Sequence, residues 1–225
     1  MVRLVLFDID GTLIRSGGAG EQAFARVCVS EFGVANDTAR LRFAGRTDPS
    51  IVREFFQQHE IEPSAENFRR FFDRYVFYLD HLLTQLDGCV LPGVQGMIGE
   101  LAGWPQSPLL GLLTGNIRLG AQIKLGHYQL WDRFRMGAFG DDDEDRNQLA
   151  VIAREQGERI LRRKLPGEDI LVVGDTPRDI ECARAIGARA LAVATGNYPF
   201  ADLSGHSPTW TVESLDQVKV TDVME

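Results

Sequence analysis

The spacing of apolar positions changes character twice along the chain. Residues 4–7, Leu4-Val5-Leu6-Phe7, are continuously apolar, which predicts a strand buried on both faces, as in a parallel sheet. After Leu13 the spacing becomes helical and stays so to about Leu86, with turn signals at Gly17-Gly18, Gly33, Gly45 and Pro63. The clearest stretch is residues 68–86, where Phe68, Phe72, Tyr75, Val76, Leu79, Leu82, Leu83 and Leu86 share one helical face. That face predicts core packing rather than a cofactor site. From Gly88 onward strand and helix alternate. Strands are expected over 108–113, 134–138, 169–173 and 189–194, and helices from about Arg118, over 146–164 and over 177–186. Residues 208–212 form a possible further strand. The whole predicts an α/β fold, a parallel sheet covered by helices and interrupted after its first strand by a helical insertion.

Composition narrows the partners. A chain of 225 residues can bury a full core, as one domain or as a domain with a sizeable insertion. Its formal charge of -8 argues against nucleic acid, whose binding rests on clustered Lys and Arg, so an anionic ligand must be held by local charges. Cys28, Cys89 and Cys182 show no metal-ligand spacing and fit reduced thiols in a cytoplasmic protein. The first strand begins at Val2, which leaves no room for a signal peptide, and no apolar run approaches membrane-spanning length. His59, His81, His127 and His206 have no metal spacing either.

Three strand ends carry the candidate chemistry. The first strand runs into Asp8-Ile9-Asp10-Gly11-Thr12, and two acids held close suggest a divalent cation with oxygen ligands, or simply a solvated strand end. The strand over 109–113 ends in Thr114-Gly115-Asn116, a hydroxyl and backbone N–H groups suited to an anion, or ordinary turn and capping residues. The strand over 170–173 ends in Gly174-Asp175-Thr176-Pro177-Arg178-Asp179, with Pro at the start of a helix. In a parallel sheet all three would converge at one carboxyl edge, where open α/β proteins bind ligands.

These three segments, in this order and with the insertion after the first, resemble the haloacid dehalogenase-like hydrolase superfamily. The likeness is to the branch of phosphoglycolate phosphatases and β-phosphoglucomutases with a helical cap, and it covers nearly the whole chain. It implies a three-layer Rossmann-like core over 1–14 and 88–225, with an all-helical cap over 15–87. It also implies magnesium-dependent hydrolysis of a small phosphorylated metabolite through an aspartyl-phosphate. Asp8 would be the nucleophile and Asp10 the acid and base. Magnesium would be held by Asp8, the backbone carbonyl of Asp10 and Asp175, and a phosphoryl oxygen by Thr114 and the N–H of Gly115.

The chain departs from the family at the third motif, where relatives place a Lys. Only Lys124, Lys164 and Lys219 are present, and Arg146, at the start of a helix, is expected to take the role; its alternative is a surface pair with Asp142, Asp143 or Asp145. Asp179 would orient Arg146, support the metal from outside its ligand shell, or start the helix. Arg46, in Gly45-Arg46-Thr47-Asp48-Pro49, is a candidate for a second anionic group on the substrate, with Asp48 a possible helix cap. Asn116 touches substrate or caps a helix. Asp10 argues against the metal-free dehalogenase branch, and a 15–87 insertion without Lys against the imine-forming phosphonate branch. A hexose-phosphate mutase and a non-catalytic binding protein on the same fold remain as alternatives.

Overall fold

The structure is a computed structural model, and it describes residues 1–34 and 41–225. Six parallel strands form the central sheet: β1 (Leu4–Phe7), β4 (Leu109–Leu113), β5 (Met136–Ala138), β6 (Ile170–Gly174), β7 (Arg189–Val193) and β8 (Trp210–Val212). Their order is β5-β4-β1-β6-β7-β8. β1 therefore lies between the two other strands that end in polar groups, with Phe7 level with Leu112 on one side and Val173 on the other.

Side chains alternate across the sheet, as the two-residue period of a strand requires. Val5, Phe7, Leu110, Leu112, Leu171 and Val173 enter one apolar cluster. Helices α4 (Val94–Ala102), α5 (Arg118–His127) and α9 (Val220–Met224) cover that face. Leu4, Leu6, Leu109, Leu113, Ile170 and Val172 enter the other, under α6 (Arg146–Leu161), α7 (Pro177–Ala185) and α8 (Phe200–Gly205). The layers are thus helix, sheet, helix.

A third apolar cluster belongs to α1 (Ala19–Phe32), α2 (Asp48–Gln58) and α3 (Ala65–Leu83), which follow the first strand. Its centre is aromatic: Phe24 and Phe71 have ring centroids 4.7 Å apart. Ser64 caps α3 by accepting from the N–H of Asn67, so the long helix starts three residues earlier than its apolar spacing suggests. Ile117, at the entrance to α5, joins this cluster and ties the three helices to the sheet layer.

Two expectations are corrected here. The segment after Leu13 is not helical from its start: β2 (Ile14–Arg15) pairs antiparallel with β3 (Cys89–Val90), making a short ribbon where the chain leaves and rejoins the sheet layer. Helix α6 stops at Leu161 because Arg162 turns left-handed, with φ 54° and its N–H on the carbonyl of Glu158, so Lys164 lies beyond it. There Lys164 bonds Glu158 at 2.7 Å with its side chain in solvent.

Candidate active site

The sheet brings three chain segments to one edge. The N–H of Asp8 donates to the carbonyl of Val173 at 3.0 Å, and that of Thr114 to Ala138 at 3.1 Å. Each polar residue thus extends its strand by one ladder position. The chain then reverses: the carbonyl of Ile9 accepts from Leu13 and Ile14 at 2.9 and 3.1 Å. This turn separates the two acids, sending Asp8 toward β6 and Asp10 away from it. Gly11 is required in the turn twice over, since its φ is +82° and a Cβ would stand 2.3 Å from Asp175 Oδ2.

On the Asp8 side, carboxylate oxygens of Asp8, Asp175 and Asp179 lie within 4.8 Å of one another, all buried. Arg146 is also buried. It points inward, with Nη2 hydrogen-bonded to Asp179 and 3.7 Å from Asp8 Oδ1, rather than outward to the acidic loop. Asp179 uses its other oxygen for the N–H and hydroxyl of Thr176, at 3.0 and 2.7 Å, closing a capping box at the start of α7. Both oxygens of Asp179 are thereby committed, so it orients Arg146 and starts the helix. Asp175 accepts from the Thr12 hydroxyl at 3.0 Å.

Burial pushes the Asp8 carboxyl up to about 7, against the opposing pull of Arg146 and with help from Asp179. Burial and the neighbouring charge of Asp8 raise Asp175 well above the ordinary range. Three acids facing one guanidinium leave surplus negative charge in a dry place, and every donor atom is oxygen. The residues present therefore fit a hard divalent cation of the magnesium type. Buried Nε of Arg146 has no hydrogen-bond partner among the described residues.

On the Asp10 side, Oδ2 accepts from Asn116 Nδ2 at 2.8 Å and from Lys124 Nζ at 2.6 Å. Lys124 also donates to Asn116 Oδ1 at 2.7 Å, and Asn116 Nδ2 reaches Thr114 Oγ1 at 2.9 Å. Lys124 is the one of these residues that the sequence did not single out for the site. Its signal was a charge on an otherwise apolar stripe, because Gly120, Ala121, Lys124 and Leu125 form the buried face of α5.

The three-helix segment closes over this edge, leaving a cavity of about 410 Å³ lined by Asp8, Asp10, Arg46, Thr114, Lys124 and Arg146 among others. Asp48 does not cap its own helix: Thr47 holds that position, and the Asp48 carboxylate accepts from the N–H of Ile117 at 2.9 Å. The Asp48 N–H donates to Gly115 at 2.7 Å, and a Cβ on Gly115 would collide with the Arg46 carbonyl at 2.0 Å. Burial raises the Asp48 carboxyl to about 6, with Lys124 opposing. Thr47 donates to the Glu144 carbonyl at 3.0 Å, and Arg53 grips the Glu144 carboxylate. Arg46 lines the cavity, but its guanidinium is already engaged by Glu54 and the Ser50 carbonyl.

Comparison with known proteins finds similarity over nearly the whole chain. The family model described as haloacid dehalogenase-like hydrolase matches residues 5–193. A phosphoglycolate phosphatase of Synechococcus elongatus is 27% identical over 218 residues, covering 95% of this chain and 93% of its own. Another of that name, from Pseudomonas fluorescens, is 26% identical over 95% of this chain and 77% of its own. Among solved structures, CbbY of Rhodobacter sphaeroides in complex with xylulose-(1,5)bisphosphate superposes with a TM-score of 0.76 at 16% identity, covering 96% of this chain and 95% of that one.

Proposed function

The chain belongs to the haloacid dehalogenase-like hydrolase family, and on that premise we propose that it is a magnesium-dependent phosphatase of small phosphorylated metabolites. The observation that carries this reading is the opposed setting of two acids two residues apart. Asp8 stands among Asp175, Asp179 and Arg146, whereas Asp10 turns toward Lys124 and Asn116 in the cavity.

In this reading Asp8 attacks phosphorus and forms an aspartyl-phosphate, while the departing oxygen takes the proton of Asp10. Asp10, now a carboxylate, then takes a proton from the water that attacks the aspartyl-phosphate, which releases phosphate and restores Asp8. Arg146, aimed by Asp179, and Thr114 with the N–H of Gly115 hold the non-bridging oxygens. Magnesium, bound by Asp8, the Asp10 carbonyl and Asp175, would neutralise charge on the phosphoryl group. Residues 15–87 act as a cap on the core of 1–14 and 88–225, opening about the β2–β3 ribbon for exchange and closing through the Asp48 and Glu144 contacts to exclude water.

The relatives' names favour phosphoglycolate or another small phosphate ester, and the sugar bisphosphate in the CbbY structure keeps sugar phosphates within the class. No helix among the described residues is long and apolar enough to cross a membrane, and the three cysteines are unpaired, which fits a reducing cytoplasm. The test is phosphate release from a panel of phosphomonoesters with and without magnesium. Release is expected from the parent protein and none from Asp8→Asn. A panel with no magnesium-dependent release, or release surviving in Asp8→Asn, overturns the reading.

A further inference from the structure

Lys124 is a buried cation that the reaction as described does not use. It comes from α5, in the layer beneath the sheet, yet its ammonium reaches the junction with the three-helix segment: a Cβ on Gly20 of α1 would stand 3.4 Å from both Lys124 Nζ and the Tyr75 hydroxyl of α3. Gly20 thus leaves the room the ammonium occupies. An ammonium can only donate, so its bond to Asn116 Oδ1 fixes which way that amide faces. The Asn116 NH2 is then forced toward Asp10 and Thr114. Both donors, Lys124 and Asn116, converge on Oδ2 of Asp10, and no described residue donates to Oδ1.

We propose that Lys124 is the positioning residue of the acid–base group: with the amide it orients, it clamps Asp10 Oδ2 and leaves Oδ1 to face the oxygen of the leaving group. The inference rests on the phosphatase reading and adds to it a group outside the three strand-end motifs. Its consequence depends on the ester. An alkyl phosphate must receive a proton as its alcohol departs, so it needs Asp10 held in place. A nitrophenyl phosphate departs as a stable phenolate and needs that proton far less.

The experiment compares kcat/KM, which reports steps up to the aspartyl-phosphate, for phosphoglycolate and p-nitrophenyl phosphate in the parent, Lys124→Met and Lys124→Gln proteins with magnesium. Lys124→Met is expected to lower the value for phosphoglycolate about 100-fold, with a loss on the aryl ester at least about tenfold smaller. Lys124→Gln, which keeps a donor, should recover part of the difference, and it carries the comparison if the Met variant does not fold. Equal losses on the two esters, or no loss on either, overturn the role of Lys124 while the parent stays active. If the parent releases phosphate from neither ester, the alkyl ester it turns over best in the phosphomonoester panel replaces phosphoglycolate, and release from none of that panel refutes the phosphatase reading itself, and this inference with it.

Discussion

Asp8 and Asp10 have the same side chain and sit two residues apart, but their surroundings differ in kind. The Asp8 side chain is 8% exposed, and the Asp10 side chain 41%. Asp8 shares a dry pocket with two other acids and one guanidinium, an arrangement that fits a cation. Asp10 faces one ammonium and one amide at a cavity wall. In the proposed reaction, environment therefore allots the roles. The buried side is organised to hold charge, and the cavity side to aim one carboxylate.

The largest effect that would break this contrast, beyond loss of Asp8 itself, is removal of the guanidinium. Arg146→Ala should lower kcat on the order of 10²–10³ at saturating magnesium, as for other charge-stabilising donors. Circular dichroism should report a retained fold. Near-parent turnover would take Arg146 out of the site. Arg146→Lys should recover only part, because a point charge cannot serve Asp179 and a phosphate as a fork does.

The next effect is on pH and stability. The unfolded chain releases the Asp8 proton near the ordinary value of 3.8, whereas the folded chain keeps it to about 7. Between those values the folded state binds more protons, so the stability of the metal-free protein falls as pH rises and the penalty is complete above about 7. Melting temperature without metal should therefore fall from about pH 5 to about pH 8, and magnesium should raise it more at the upper end. A metal-free stability that climbs over this interval would contradict the crowding of acids around Asp8.

The smallest effect concerns the contacts that close the cavity. Arg53 and Glu144 are 41% and 36% exposed, so Arg53→Ala should cost about 0–1 kcal/mol in urea unfolding. A much larger loss would mean that the clasp over the cavity is a structural element rather than a releasable one.

Much of the fold was legible because it depends on local order. The continuous apolar runs of β1, β4 and β6 mark doubly buried strands, and their polar ends mark the edge where Asp8, Thr114 and Asp175 meet. The β2–β3 ribbon was not legible, since two residues per strand carry no period and its pairing joins distant parts of the chain. Helix α4 was passed over because Gly96 and Gly99 dilute its helical signal, although Val94, Met97, Ile98 and Leu101 are buried on one face. Arg146 could be placed from its position at the start of a helix. Its turn inward rather than toward Asp142 or Asp143 depends on Asp179, a contact across α6 and α7.

By itself the sequence determined which strands are buried, in what order the acids occur and that a helical segment follows the first strand, because these are properties of neighbouring residues. Tertiary structure decided which charges face one another. Lys124 reaches Asp10 only because α5 packs between the sheet and the three helices, and Asp48 meets Ile117 rather than its own helix for the same reason. A buried charge is stabilised by its spatial partners, and those partners are brought together by packing rather than by distance along the chain.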